Sequence, residues 1–396
     1  MTFHDTDLAP IAEHRQRENR RSAVLSSRAE QRKLDQRGLG FTRIAITSAL
    51  AGGDLMTAAA IAENRYPGQL TGFYKAAIGA GTTTHPTWAS PLVPAYEQYA
   101  SEFCEFLRAQ TILGAFGTGK TPALRVVPFN ISVPRQTTGG KGYWVAEGAA
   151  KPLTKFDFDD VTLGWAKVAN IAIITEELLR FSNPSAELIV RDQLSAALAQ
   201  VLDEDFVRPD KAAVPDVSPA SITYDVMPVA SSGASIEAIR KDVKALFANF
   251  VAARMSPKKG VWIMGSMTAI GLSLMSNALG QLEFPDMNLN GGFFYKLPCI
   301  VSDHVPEGMV MLVSAEDVFL ADEGQATLDV SREASLSMDD ASTMNSFTPT
   351  GSNLVSLWQT NSVGIRAERY INWAKRRPQA VQYLTGVEWG SEEIFS

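Results

Sequence analysis

Residues 139–208 place a charged loop, an apolar strand and a long one-sided helix in unbroken succession, an order that few architectures accommodate. The loop, GGKGYWVAEGAAKPLTKFDFDD, sets Lys141, Glu147, Lys151, Lys155, Asp157, Asp159 and Asp160 among glycines. It is too polar for a core and too long for a turn, so it should project from the body and meet a partner through its charges. Val161, Leu163 and Trp165 then alternate with polar or small neighbours, and residues 168–174 are nearly all apolar. That pattern predicts a strand entering a covered sheet.

Asn183 and Pro184 are a cap residue followed by a first-turn proline, and they predict a helix running to about residue 207. At 1.5 Å per residue its length is roughly 36 Å. Val190, Leu194, Leu198, Val201 and Leu202 recur at three- and four-residue spacings as one apolar stripe. Glu187, Arg191, Asp192, Gln193 and Gln200 should lie off it.

A projecting loop, a strand and a spine-like helix in this order are similar to the major capsid proteins of tailed bacteriophages, whose fold is named after coliphage Hong Kong ninety-seven. VAEGAAKPLTKFDFDDVTL resembles the extended loop of that family, and ITEELLRFSNPSAELIVRDQLSAALAQVLDEDF resembles the strand end and spine helix that follow. KLPCIVSDHVP, ATLDVSRE and IRAERYINWAKRRPQAV resemble later family segments in the same chain order, so the likeness covers residues 81–381.

The resemblance implies an α+β fold of the phage major capsid type. Its parts would be a helical N-terminal arm or scaffold-like segment (1–80), then a linker, a short helix and the first loop strands (81–138). An extended β-hairpin loop (139–165), a peripheral domain with the spine helix (166–232), an axial mixed α/β domain (233–342) and return strands of the peripheral domain (343–396) would follow. It further implies a subunit forming hexamers and pentamers in an icosahedral virion shell. That shell would be assembled in the host bacterial cytoplasm around double-stranded DNA held without sequence specificity. A portal, a prohead protease and decoration proteins are the other partners of this family, and some members cut the arm away while others keep it. An encapsulin-like compartment shares the fold but usually lacks so long an arm. Lys151 stands where the loop of some members carries a lysine joined covalently to a neighbour's asparagine. Asn361 falls near the matching place, with Glu368 the nearest carboxylate and Ala367 at the better-aligned position, so the contacts expected here are non-covalent.

Composition agrees with a container more than with a reader of nucleic acid. The 396 residues carry a net charge of −7, with 45% hydrophobic and 20% charged residues, enough for a sizeable core and without a strongly basic balance. Only residues 11–37 run the other way, with eight Lys or Arg against four Asp or Glu, which leaves −11 for the rest. They read as an exposed basic helix. Cys104 and Cys299 are too few for a disulfide framework and read as buried thiols. The first residues lack the order of a signal peptide, and no run approaches the roughly 20 apolar residues of a membrane span.

Elsewhere the pattern predicts a helix over 41–66 with a weak point at Gly52 and Gly53, an extended linker over 79–94, and a short helix bearing Tyr96, Tyr99, Phe103, Phe106 and Leu107. Residues 210–233, with Pro215, Pro219 and Pro228, should be a loop at a domain boundary. Ser235 should cap a helix burying Ile236, Ile239, Val243, Leu246, Phe247 and Phe250. A strand over 260–264, a helix over 266–279 and strands over 293–302, 310–314 and 327–331 should complete one compact domain. Strands over 354–373 should return to the sheet beside the long helix, and a last strand should span 380–384.

One motif points elsewhere. Gly114, Gly119, Lys120 and Thr121 match the phosphate-binding pattern G-x-x-x-x-G-K-[ST], the basis of a nucleotide hydrolase reading centred on Lys120. That pattern needs a strand before it and a helix after it. Here a helix should precede it, and Pro122 with a strand over 124–133 should follow, so the match is read as fortuitous. His4, His14, His85 and His304 are scattered and read as surface or linker residues, with no metal spacing. No catalytic residue, metal or cofactor is expected.

Overall fold

The computed structural model describes residues 38–52, 54–70, 73–74, 92–138, 143–145, 147, 150, 157–181, 185–277, 279–337 and 354–390. The chain divides into two compact units, 1–106 with 179–191, and 107–178 with 192–396. The basic segment 11–37 and residues 79–91 of the expected linker lie outside the described residues.

In the first unit the helix expected over 41–66 is two helices, α1 (Leu39–Ala51) and α2 (Leu55–Arg65). Gly52 ends α1 at φ 62°, a left-handed conformation that glycine adopts without strain, and Asp54 restarts the chain by accepting the Met56 and Thr57 amides. Ile44, Ala58, Ala62, Tyr66, Leu70 and Tyr74 form their shared core. The next helix, α3 (Leu92–Ala109), begins inside the expected linker because a proline, Pro94, is tolerated in a first helical turn. Phe103 stacks on Phe41 with ring centroids 4.6 Å apart.

The second unit contains α4 (Ile112–Ala115), the first half of α5 (Glu176–Phe181) and most of the long helix α6 (Ser185–Val207), followed by α7 (Ile236–Ala252) and α8 (Ser266–Leu274). Helix α6 buries Leu194, Leu198, Ala199, Leu202, Phe206 and Val207. Two expectations about α6 fail. Val201 is half exposed, whereas Arg191, expected on the wet side, is buried with its guanidinium 4.1 Å from the Phe106 ring. Aromatic stacking lets an arginine stem join an apolar stripe. Ser235 caps α7 through the Ala238 amide as expected, and Ile239, Val243, Leu246 and Phe250 are buried. Helix α8 stops at Leu274, short of the expected residue 279.

Two main sheets share one apolar core. A four-stranded sheet runs β1 (Arg125–Val126), β11 (Val318–Ser331), β14 (Ser362–Lys375), β4 (Lys167–Thr175). A seven-stranded sheet runs β5 (Val229–Ala230), β15 (Val381–Thr385), β10 (Val310–Ser314), β6 (Gly260–Met264), β9 (Leu297–Val301), β8 (Gly291–Phe294), β7 (Met287–Asn288). Strands β6 and β10 are buried at every residue, as continuous apolar runs require. The core joins Leu202 and Phe206 of α6, Val243 and Leu246 of α7, Trp262 of β6, Leu320 of β11 and Trp373 of β14.

Three strand expectations need correction. Strand β4 is an edge strand covered on one face only, with Ile171 and Ile173 exposed, because period-two alternation and a continuous apolar run look alike over so few residues. The strand expected over 124–133 is broken into β1 and β2 (Ser132–Thr138), since Asn130 takes a left-handed turn at φ 57° after Pro128. Residues 327–331 belong to β11, which pairs with β14, while β15 pairs with β10 in the larger sheet. Strand exchange between sheets depends on long-range pairing that local patterns do not encode.

Candidate functional site: the hairpin and its base

Strand β2 pairs antiparallel with β3 (Asp157–Thr162), from Ser132 opposite Thr162 to Thr138 opposite Asp157. These two strands flank the loop expected to project. The base of their hairpin is fixed to the four-stranded sheet. Asn130 donates its amide to Leu163 O at 2.8 Å, and Asn372 Nδ2 donates to Gly164 O at 2.8 Å. Phe129 stacks on Trp165 at 4.5 Å, and Trp165 meets Tyr370 edge-on at 5.6 Å. A rigid base with an open end suits a reaching element.

Of the charged residues expected to make contacts, Glu147 and Asp160 are exposed. Asp157 and Asp159 lie on β3 opposite Thr138 and Arg135. Lys141, Lys151 and Lys155 lie outside the described residues. Sequence reasoning passed over Tyr143, Trp144 and Val145, which are all exposed, Trp144 completely. Three consecutive large apolar residues within a polar loop were the available signal.

The residues matched to a covalent joint are engaged within the chain. Asn361, at φ 48° ahead of β14, donates Nδ2 to Glu177 Oε1 at 2.7 Å. Glu368 lies 3.3 Å from Lys167 Nζ and 3.4 Å from Arg366 Nε. Ala367 is fully buried against Leu107 and Leu198.

Around the phosphate-binding look-alike, α4 precedes Phe116, and the next elements after Lys120 are β1 and β2. The segment spends its amides on itself. Gly117 N–H donates to Thr121 O and Pro122 O, Thr118 N–H to Ala115 O, and Thr121 N–H to Thr118 O. Lys120 Nζ sits 5.0 Å from the Phe293 ring centroid. Cys104 and Cys299 are buried, and burial pushes the Cys299 thiol far up. His304, expected at the surface, is partly buried against Asp203. Among the described residues no group of three or more His, Cys, Asp or Glu is placed to hold a metal, and no helix is long and apolar enough to cross a membrane.

The chain is 50% identical over 365 residues to the capsid polyprotein of Pseudomonas phage PAJU2, covering 89% of this chain and 54% of that relative. It thus spans about half of that relative's length. The major capsid protein of Klebsiella oxytoca phage phiKO2 is 22% identical, over 88% of this chain and 79% of its own. A solved structure from Mycobacterium phage Adephagia superposes with a TM-score of 0.52 at 18% identity, covering 70% of this chain and 89% of that one. The fold is therefore the α+β capsid fold. A model of the phage capsid family matches residues 93–386, from the start of α3 to the end of β15, and the chain belongs to that family.

Proposed function

We propose that this chain is a major capsid subunit whose copies, as hexamers and pentamers, close into an icosahedral phage or prophage head around double-stranded DNA. Family membership carries this reading. Residues 139–165 would reach a neighbour, α6 with the four-stranded sheet would form the peripheral domain, and α7, α8 and the seven-stranded sheet, β15 included, would meet their counterparts around the symmetry axes. Residues 81–138 would link this body to an arm, 1–80, that guides assembly. The subunit does no chemistry, and its other partners are a portal, a prohead protease and decoration proteins, all met in the host cytoplasm. Electron microscopy of the overexpressed protein tests the reading. Closed icosahedral particles are expected, and dispersed monomers that release phosphate from ATP would overturn it.

At the loop, Trp144 is proposed as the anchor and the charges as its rim. Buried aromatic anchors at interfaces cost about 2 kcal/mol or more when truncated, against about 0.2–1 kcal/mol for an exposed ion pair. Trp144→Ala should therefore abolish particles at concentrations where Lys151→Ala only makes them more sensitive to salt, with subunit melting unchanged in both. Sedimentation and thermal unfolding read this out. Intact assembly in Trp144→Ala would remove the anchor.

The intersubunit contacts are non-covalent, since Glu368 and Asn361 are already engaged. Particles boiled in detergent should run as a single band on a denaturing gel. A ladder that disappears in Lys151→Ala would show the opposite.

A further inference from the structure

The chain crosses between its two main sheets twice at one place. Ala315–Asp317 carries it from β10 into β11, and residues 376–380 carry it back from β14 to β15. The registers align the two crossings. Val318 lies opposite Lys375 at the end of β14, Val313 opposite Val381 at the start of β15, and Ser314 opposite Gly260 at the start of β6. The turn ahead of β6, Pro257–Lys259, and Arg125 on β1, opposite Phe319, join the same end. Arg125, Lys258, Lys259, Arg376 and Arg377 therefore gather around Glu316 and Asp317, five cations against two carboxylates in a chain whose net charge is −7.

The carboxylates fix these cations more than they consume them. Arg376 donates its backbone amide to Asp317 O at 2.7 Å, which ties one crossing to the other. Asp317 Oδ1 lies 3.6 Å from Arg376 Nη1 and 3.8 Å from Arg377 Nε, while its Oδ2 accepts the Ser314 hydroxyl at 2.9 Å. Both guanidiniums are thus held beside one charge that takes none of their N–H donors at hydrogen-bond distance. Lys259 pairs with Glu316 where both side chains are more than half exposed. Lys258 and Arg125 are exposed as well, the Arg125 guanidinium 5.7 Å from the Phe319 ring centroid.

We propose that this end of the two sheets is a phosphate platform that contacts the backbone of double-stranded DNA. Arg376 and Arg377 offer planar forks that match phosphate oxygens, and Lys258, Lys259 and Arg125 supply the surrounding positive field. Cations drawn from separate elements form a field broader than a single acidic side chain needs. Such a field fits a polymer with one charge per about 1.7 Å of axis, and it reads no sequence. The choice of DNA as the polyanion rests on the head-protein reading above.

Binding to a short labelled duplex is measured by fluorescence anisotropy between about 50 and 200 mM salt. The full-length protein is used, diluted below the concentration at which particles form. Wild type should bind with an affinity that falls steeply with salt. Arg376→Gln/Arg377→Gln should make the log–log slope shallower by about 2, one for each lost phosphate contact. Residues 11–37 are unchanged in the variant, so any contribution of theirs cancels. Thermal unfolding shows whether the arginine variant folds, and if it does not, Lys258→Gln/Lys259→Gln on its exposed turn decides in the same way. An unchanged slope in the folded variant, or no binding by wild type, would overturn the platform. Particles lost with the slope unchanged would assign these cations to a second copy of the chain instead. Particle formation, followed separately by electron microscopy, should persist in the variants. Its absence in wild type would overturn the head-protein reading, while the change in slope would still stand for the platform.

Discussion

Arg369→Met should destabilise the second unit by about 3–5 kcal/mol, the range measured when one partner of a buried ion pair is removed. The Arg369 side chain is 2% exposed and that of Asp322 is 7% exposed. The guanidinium grips both carboxylate oxygens, Nε donating to Oδ1 at 3.3 Å and Nη2 to Oδ2 at 2.7 Å. Asp322 also accepts the Gly324 amide at 3.0 Å, where the register of β11 against β14 slips between Asp322 and Ala326. Removing the arginine leaves an ionised carboxylate beside the slip with no countercharge. Arg369→Met/Asp322→Asn should recover a large part of the loss, because the amide oxygen still serves Gly324 while neither charge stays buried. Urea unfolding of the three proteins decides this. A double variant no more stable than Arg369→Met would show that packing, not charge, sets the cost.

That pair also marks the limit of what the sequence discloses. Ser235 and the apolar residues of α7, the buried runs of β6 and β10, and the long one-sided α6 were readable because caps and periodicity are local. Partners of buried polar groups are not local. Arg369 finds Asp322 across 47 residues, and Asp203 finds Ile112 across 91. The α6 stripe went astray at Val201 and Arg191 because periodicity names a face, while the neighbour facing each position decides whether an arginine or a valine is buried there. Likewise β11 and β15 were legible as strands but not as members of a particular sheet. At the hairpin, the weight given to the charges of the loop hid the exposed Tyr143, Trp144 and Val145.

Gly114→Ala and Lys120→Ala separate the two meanings of the phosphate-binding pattern, and the glycine should matter far more. A Cβ on Gly114 would lie 1.8 Å from the carbonyl oxygen of Arg108 and 2.4 Å from its carbonyl carbon. Both are backbone atoms at the end of α3, so no side chain can swing aside to make room. Gly114 also donates its amide to Thr111 Oγ1 at 3.0 Å, and the same turn offers the Ile112 amide to Asp203. Moving the turn would strain both bonds. Overpacking of this kind costs about 1–3 kcal/mol where neighbours can yield, and a backbone clash belongs at or beyond the upper end, about 3 kcal/mol. Lys120 makes one cation–π contact with Phe293, worth about 0.5–1 kcal/mol. In thermal unfolding, Gly114→Ala should therefore melt well below wild type and Lys120→Ala close to it. Calorimetric titration with magnesium ATP should show no binding to either wild type or Lys120→Ala. A phosphate site predicts the reverse, with nucleotide bound by wild type and lost in Lys120→Ala.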